Sequence, residues 1–203
     1  MASERVAVLA DAAIDLIADL GMRGLTHRAV DARAGLPQGT TSAYLRTRKA
    51  LIEAVVHRLA ELDQQDLEGT TVAAELAAPG PYGPDDLDRL AAGIAVMLDR
   101  SLSTDRRRAL ARYACVLEAT HHPELRTILA YGAASRAHAR AMMTAAGASD
   151  PARAGDWIVA CLDGLLFDRL AGAGALTAPE PGTPASRADL TAAVRTLLAA
   201  FAA

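Results

Sequence analysis

Aromatic residues are scarce in this chain, and side chains branched at Cβ are sparse in its long segments. Aromatics make up 3% of the 203 residues, whereas hydrophobic residues as a whole make up 52%, with alanine and leucine dominant. Alanine and leucine lose little free energy on entering a helix, whereas aromatic and β-branched side chains lose more. The composition therefore predicts an all-α protein, and the length is sufficient for one or two domains with a substantial core.

Cysteines and long apolar runs are also few. The two cysteines, Cys115 and Cys161, lie far apart without metal-type spacing, which favours buried thiols in a reducing compartment. No apolar run reaches the roughly 18 residues of a membrane span. Three aspartates, Asp11, Asp15 and Asp19, interrupt the first apolar stretch, unlike the core of a secretory signal. We expect a cytoplasmic protein.

Motifs for metal or phosphate chemistry are missing as well. His121 and His122 are adjacent, so on a helix they diverge by about 100° and do not chelate one metal together. There is no glutamate–histidine pair at metal spacing and no glycine-rich phosphate loop. We expect no metal and no cofactor, and an enzymatic function has little support.

Charge is distributed unevenly along the chain. The net charge is −3, which by itself argues against a nucleic-acid partner. Residues 21–51 nevertheless carry six basic side chains and one acid, a local charge of +5, whereas residues 61–203 carry 13 basic and 18 acidic groups, a charge of −5. A small basic segment joined to an acidic body is typical of a DNA-binding module with a separate regulatory part.

Helical periodicity and capping residues divide the chain into segments. A first helix ends at Gly21 and Gly24; Thr26 caps a short helix over 27–34 that Gly35 terminates; and Thr47 caps a longer helix from Arg48 to about 65. Proline and glycine indicate a linker over 66–84. The remaining predicted helices cover 38–44, 85–102, 105–120, 123–146, 150–170 and 186–202, with a loop over 171–185.

Two short helices joined by a glycine-containing turn are the pattern of a helix-turn-helix. The stretch from Gly24 to Val30, followed by the stretch from Ala34 to Leu51, resembles the DNA-binding signature of TetR-family regulators, without a gap. The close resemblance covers about residues 6–60. It implies about nine helices, divided into a three-helix DNA-binding domain over 1–47 and an effector-binding and dimerisation domain over 48–203. It also implies a homodimer that represses transcription.

The second short helix is expected to lie in the major groove. Gln38 opens it and has the amide geometry for a bidentate contact to adenine, while Gly39 permits close approach of the backbone. Ser42, Ala43 and Leu45 replace bulkier residues common in the family, so base recognition is expected to depend on Arg28, Gln38 and Thr40. The candidate DNA contacts are Thr26, His27, Arg28, Pro37, Gln38, Gly39, Thr40, Thr41, Ser42, Tyr44, Arg48 and Lys49.

The resemblance also implies an effector pocket among the C-terminal helices and a dimer interface on the last two. Plain core packing is the alternative for the aliphatic members of the pocket, and an ion pair is the alternative for Glu118. The candidate ligand-binding residues are Met97, Tyr113, Leu117, Glu118, His121, Tyr131, Trp157, Cys161 and Phe167. The candidate interface residues are Ile158, Leu162, Leu165, Leu190, Val194, Leu197 and Phe201, with Gly164 allowing close helix approach.

The sequence therefore predicts a repressor that a small molecule releases from a pseudo-palindromic operator, with the helix near 48–65 transmitting the change. Two alternatives stay open. One is a DNA-binding dimer that responds to a protein partner or to nothing. The other, more distant, is an all-helical enzyme whose N-terminal corner only mimics the motif.

Overall fold

The computed structural model describes residues 2–68 and 82–202, and all regular structure in these ranges is helical. The all-α prediction is therefore confirmed. The described residues form nine α-helices and three short 3-10 helices. The α-helices are α1 (Ala2–Leu20), α2 (His27–Arg33), α3 (Thr40–Tyr44), α4 (Arg48–Glu68), α5 (Pro84–Leu102), α6 (Arg106–His121), α7 (Ala133–Ala145), α8 (Pro151–Ala171) and α9 (Pro184–Ala202). The 3-10 helices are Met22–Gly24, Pro123–Gly132 and Ala173–Leu176.

One compact unit comprises Met1–Gln65 and Arg107–Tyr131. The apolar stripe of α1, with Leu9, Ala13 and Ile17 buried, packs into a core shared with Val30 of α2 and with α4. Buried residues of α6 belong to the same core, among them Cys115. The helices predicted to bind DNA therefore share their core with a helix far along the chain.

The second compact unit comprises Asp66–Arg106 and Gly132–Ala203. Within it α5 packs against α9, and α7 packs against α8. Gly155 makes the α7–α8 contact possible, because a Cβ atom there would lie 2.6 Å from the backbone nitrogen of Arg140. Buried Asp99 on α5 accepts hydrogen bonds from the Gly182 amide (2.8 Å) and the Ser186 hydroxyl (2.6 Å), which holds the start of α9.

These units do not end at residue 47, where the sequence placed its boundary. The division into 1–47 and 48–203 stays a prediction about roles, because the compact unit that contains α2 and α3 also takes in most of α4 and α6. In the described ranges no helix is both long and apolar enough to cross a membrane.

Two helix predictions are wrong. The second short helix begins at Thr40, two residues later than predicted, because Gly39 adopts a left-handed conformation with φ 94° that does not continue a right-handed helix. The long helix over 123–146 is instead a 3-10 helix over Pro123–Gly132 followed by α7. A 3-10 helix repeats every three residues, so it places Leu125 and Ile128 on one side, and both are buried.

Candidate nucleic-acid interface

The turn between α2 and α3 is built from a cap and two glycines. The Thr26 hydroxyl accepts a hydrogen bond from the Ala29 amide (3.1 Å), which confirms the predicted N-cap of α2. Gly35 has φ 65° just after the end of α2, and Gly39 has φ 94° just before α3. Residues other than glycine rarely adopt this backbone conformation, so the two glycines fix where the chain leaves one helix and enters the next.

A buried carboxylate holds the N-terminus of α3. Asp31, on α2, is 3% exposed and accepts hydrogen bonds from the Gly39 amide (2.7 Å), the Thr41 amide (2.7 Å) and the Thr41 hydroxyl (2.5 Å). Burial alone would raise the pKa of Asp31, but these hydrogen bonds outweigh it and hold the pKa below its ordinary value. The carboxylate is therefore ionised and pairs with the first amides of α3.

The opposite end of α3 contacts the same helix. His27, on α2, is half-buried, and its Nε2 lies 2.6 Å from the carbonyl oxygen of Leu45, the residue that follows α3. A protonated Nε2 donates to this carbonyl, which belongs to the C-cap of α3, where carbonyls have no partner within the helix. His27, a candidate DNA contact, thus has a hydrogen-bond partner within the protein.

The outer side of the motif carries most of the other candidate contacts. Pro37, Gln38 and Gly39 are exposed in the turn, and Ser42 and Tyr44 are exposed on α3. Arg28 is exposed in the first turn of α2, near the exposed cap Thr26. Thr40 is half-buried and its hydroxyl donates to the Pro37 carbonyl at 2.6 Å. Lys49 is exposed and lies 3.7 Å from Glu53 on the next turn of α4.

Thr41 is buried and not available for DNA contact in this conformation, whereas Arg48 stays exposed but also makes contacts within the protein. Thr41 has no exposed surface, because its hydroxyl faces Asp31. The Arg48 guanidinium donates to the carbonyls of Leu25 and Met22, both at 2.8 Å, and to Glu118 at 3.2 Å. These contacts join positions up to 70 residues apart, so no local pattern in the sequence indicates them.

Ion pairs that the sequence did not predict connect α6 with the N-terminal helices. Arg107 contacts Asp15 and Asp19 of α1, both at 2.7 Å, and Asp19 also contacts Arg33 of α2 at 3.0 Å. Hydrogen bonds from Arg107 and Arg33 lower the pKa of Asp19. The spacing of Asp11, Asp15 and Asp19 places these carboxylates on one side of α1, but the sequence does not indicate which arginines pair with them.

The candidate ligand-binding residues fall on both compact units. Tyr113, Leu117, Glu118 and His121 lie on α6; Leu117 is 55% exposed, and Glu118 pairs with Arg48 and with His122 (3.6 Å). The Tyr131 side chain lies outside the described residues. On the second unit the candidates are Met97 on α5, half-buried, and Trp157, Cys161 and Phe167 on α8. The ion-pair alternative for Glu118 is therefore realised in the structure.

The candidate interface residues divide by exposure. Ile158, Leu190 and Val194 have no exposed surface and belong to the core of the second unit, so in this conformation they have no surface to offer a partner. Leu162, Leu165, Leu197 and Phe201 are half-buried. Exposed Trp157 lies beside Phe201, with ring centroids 5.8 Å apart, and a Cβ atom at Gly164 would meet nothing within 4 Å.

In the part of the chain that the structure describes, side chains of metal-ligating types are scattered and the Cys115 thiol is buried. No group of three or more His, Cys, Asp or Glu side chains is placed there to hold an ion. Burial raises the pKa of the Cys115 thiol to about 12, and nearby Glu118 raises it further than burial alone. Cys115 is therefore a protonated core residue at neutral pH.

Comparison with known proteins assigns the family. Residues 85–200 match the family model of the tetracycline repressor-like C-terminal domain, which covers more than half of the chain. No curated protein sequence matches the chain. Among solved structures, a TetR-family member from Streptomyces coelicolor A3 is 28% identical, with a TM-score of 0.70 and coverage of 96% of this chain and 98% of that one.

Two further structures are similar over nearly their whole length. The multidrug binding protein EbrR, solved with ethidium, is 27% identical, with a TM-score of 0.65 and coverage of 96% of this chain and 98% of that one. A putative TetR-family regulator from Rhodococcus sp. is 20% identical, with a TM-score of 0.73 and coverage of 98% and 100%, and shows the same fold. The chain belongs to the TetR family of transcriptional regulators.

Proposed function

We propose that this protein is a repressor that binds a pseudo-palindromic operator as a homodimer, with α3 in the major groove. The observation that carries the proposal is the polar surface formed by Gln38, Ser42 and Tyr44, which are exposed along the turn and α3. Exposed Arg28 and Lys49 flank this surface and supply positive charge for the phosphate backbone.

Each exposed residue has a chemically defined role in this proposal. The Gln38 amide pairs with the N6 and N7 positions of adenine, and Arg28 contacts a guanine edge or a phosphate. Gly39 lets the backbone approach the DNA, and the Tyr44 hydroxyl contacts a phosphate. The side chains of Ser42 and Ala43 are small and fill little of the groove, so base recognition depends on the polar contacts of the other residues.

The proposed dimer uses the outer surfaces of α8 and α9. Trp157 is 51% exposed, Phe201 lies against it, and the surface at Gly164 is open enough for a second helix to approach closely. Exposed aromatic side chains are typical of the centre of protein interfaces. A two-fold dimer places two copies of α3 about one turn of DNA apart, which a pseudo-palindromic site requires.

The proposed regulation is a small molecule that lowers operator affinity. EbrR, a 27% identical structure with the same fold, is named as a multidrug binding protein and was solved with ethidium. In this chain Tyr113 and Leu117 on α6 are candidate ligand contacts, and Arg107 and Glu118 on the same helix pair with the N-terminal helices. A ligand that prefers a shifted α6 would change the population of the DNA-binding conformation.

The alternative of a DNA-binding dimer without a small-molecule effector shares every DNA contact and differs only in regulation. The alternative of an all-helical enzyme gains no support, because the structural relatives named above are regulators and a multidrug binding protein.

Selection of genomic fragments by the purified protein tests the proposal. At low salt we expect enrichment of one pseudo-palindromic sequence, and we expect its affinity to fall by orders of magnitude between about 50 and 200 mM salt. Arg28→Ala and Gln38→Ala should abolish the enrichment, whereas Arg126→Ala, a loss of the same kind of charge on the Pro123–Gly132 segment, should retain it. Absence of any enriched sequence with the unmodified protein would contradict DNA recognition.

Ethidium added to the isolated operator complex separates the two modes of regulation. The control is an unrelated protein bound to its own duplex, because ethidium also binds DNA. Release of the operator at ethidium concentrations that leave this control complex intact would support a small-molecule effector. Retention of the operator across ethidium and related dyes would favour the effector-independent dimer.

A further inference from the structure

We infer that His27 and Asp31 of α2 clamp the two ends of α3 and thereby set how the recognition helix is presented to DNA. This inference rests on the proposed DNA-binding function and assigns the two residues a positioning role instead of a DNA contact. His27 and Asp31 are four residues apart, so they lie one above the other on the same side of α2.

Asp31 forms the N-terminal half of the clamp. Its carboxylate accepts three hydrogen bonds from two residues, Gly39 and Thr41, at distances from 2.5 to 2.7 Å. The free amides at the start of a helix and the positive end of the helix dipole both favour a negative group. Because Asp31 and Thr41 are buried, water does not readily replace either partner.

His27 forms the C-terminal half. Its Nε2 is 2.6 Å from the Leu45 carbonyl, at the negative end of α3, where a donor is favoured. Asp31 therefore supplies hydrogen-bond acceptors at the N-terminus of α3, where amides are free, and His27 supplies a donor at the C-terminus, where carbonyls are free. While the contact persists, Nε2 of His27 is directed at the Leu45 carbonyl and not at DNA.

The clamp matters because α3 is too short to hold its own geometry. A helix of five residues is not stable alone, and Gly39 at its start has unusual freedom of rotation. Contacts with α2 consequently decide the direction of the surface formed by Gln38, Ser42 and Tyr44. If the clamp is released, only a fraction of molecules presents this surface correctly, and the apparent Kd rises by the inverse of that fraction.

Positioning differs from phosphate contact in a measurable way. Loss of a phosphate contact weakens binding to all sequences and reduces the dependence of affinity on salt. Loss of the clamp leaves Arg28 on α2 and Lys49 on α4, the charged side chains proposed to face the phosphate backbone, in place. It should therefore weaken binding to the operator while non-specific binding and its salt dependence stay as they were.

Thr41 provides the sharpest substitution, because Val has the same shape without the hydroxyl donor. We expect Thr41→Val to weaken operator binding about tenfold, the effect of losing one hydrogen bond to a buried charge. Thr41→Ser keeps the hydroxyl and should restore most of the affinity. Asp31→Asn should also weaken operator binding about tenfold. Asp11→Asn, the same charge change at an exposed position of α1, should leave operator binding unchanged.

The histidine half is tested with His27→Ala and His27→Gln. Gln retains a donor for the Leu45 carbonyl, so His27→Gln should bind the operator more tightly than His27→Ala. The control is His57→Gln on the exposed side of α4, which should bind as the unmodified protein does. All variants are compared at a temperature at which circular dichroism shows that each is folded.

Amide hydrogen exchange without DNA makes the clamp testable by itself. Exchange at Thr41, Ala43 and Leu45 should become about tenfold faster in Asp31→Asn and His27→Ala, with the α1 core unchanged. Unchanged exchange, equal operator binding by Thr41→Val and Thr41→Ser, or a parallel loss of specific and non-specific binding would overturn the clamp. Faster exchange in a protein that selects no operator would instead contradict the proposed function.

Discussion

Ionisation of Asp31 connects the chemistry of one residue with the stability of the whole DNA-binding motif. The hydrogen bonds from Thr41 and Gly39 keep the pKa of this carboxyl below its ordinary value although the group is buried. A carboxyl whose pKa is lower in the folded state stabilises the fold at pH values above its unfolded pKa, which is about 3.9. That contribution is lost as the pH falls through the lowered pKa of the folded state.

Acid unfolding of Asp31→Asn tests this linkage. We expect the free energy of unfolding of the unmodified protein to fall as the pH is lowered from about 5 to about 3. The variant should be less stable near neutral pH and should lose less stability over the same range, because one titrating group is absent. Urea titrations at several pH values measure both quantities. An identical pH dependence in the two proteins would show that Asp31 carries no such linkage.

Residue roles were only partly predictable from the sequence. The family motif placed Gln38, Ser42 and Tyr44 on the outer surface because their positions within a short helix-turn-helix determine exposure locally. It did not show that Thr41 is buried, or that Arg48, although exposed, makes contacts within the protein. The burial of Thr41 depends on a carboxylate ten residues away, and the contacts of Arg48 depend on α6. Such pairings arise from tertiary packing and leave no periodic signal.

At the scale of elements, close packing of α7 on α8 depends on one position. A Cβ atom at Gly155 would lie 2.6 Å from the backbone nitrogen and 2.7 Å from the Cα atom of Arg140. Backbone atoms cannot rotate away, so the helices would have to separate. By contrast, a Cβ atom at Gly164 on the same helix meets nothing within 4 Å.

Alanine substitutions at these two glycines should have opposite effects on stability. We expect Gly155→Ala to lower the free energy of unfolding by about 1–3 kcal/mol through overpacking. Measured at a protein concentration low enough for the chain to be monomeric, Gly164→Ala should leave it unchanged or raise it by about 0.5–1 kcal/mol, because alanine favours the helix. Chemical denaturation of both variants, at the same protein concentration, measures the difference. Equal stability of the two variants would contradict the packing described at Gly155.

Element boundaries were predicted well where capping chemistry is local. The cap at Thr26 and the glycine at Gly35 marked the limits of α2, and the helix predicted over 150–170 matches α8, whose N-cap is Asp150. The segment Pro123–Gly132 was missed because its 3-10 geometry satisfies the burial of Leu125 and Ile128 in a core formed by distant helices. A sequence window covering only this segment contains no information about that core.

At the scale of the whole molecule, the compact unit that contains α2 and α3 also contains α6. Arg107 and Glu118 on α6 pair with α1 and α4, and Tyr113 and Leu117 are candidate effector contacts on the same helix. In our proposal, part of the effector contacts therefore lies in the same packed body as the DNA-binding helices. Small shifts in such a body tend to switch between discrete arrangements, which suits a regulator that responds to a ligand.

The number of chains bound to one operator tests the central claim most directly. A labelled duplex carrying the selected sequence is titrated at a DNA concentration well above the Kd, with a scrambled duplex of equal composition as the control. We expect saturation at two chains per operator, and a much weaker signal with the scrambled duplex. Binding that does not distinguish the two duplexes, or saturation at one chain per operator, would contradict a homodimeric, operator-specific regulator.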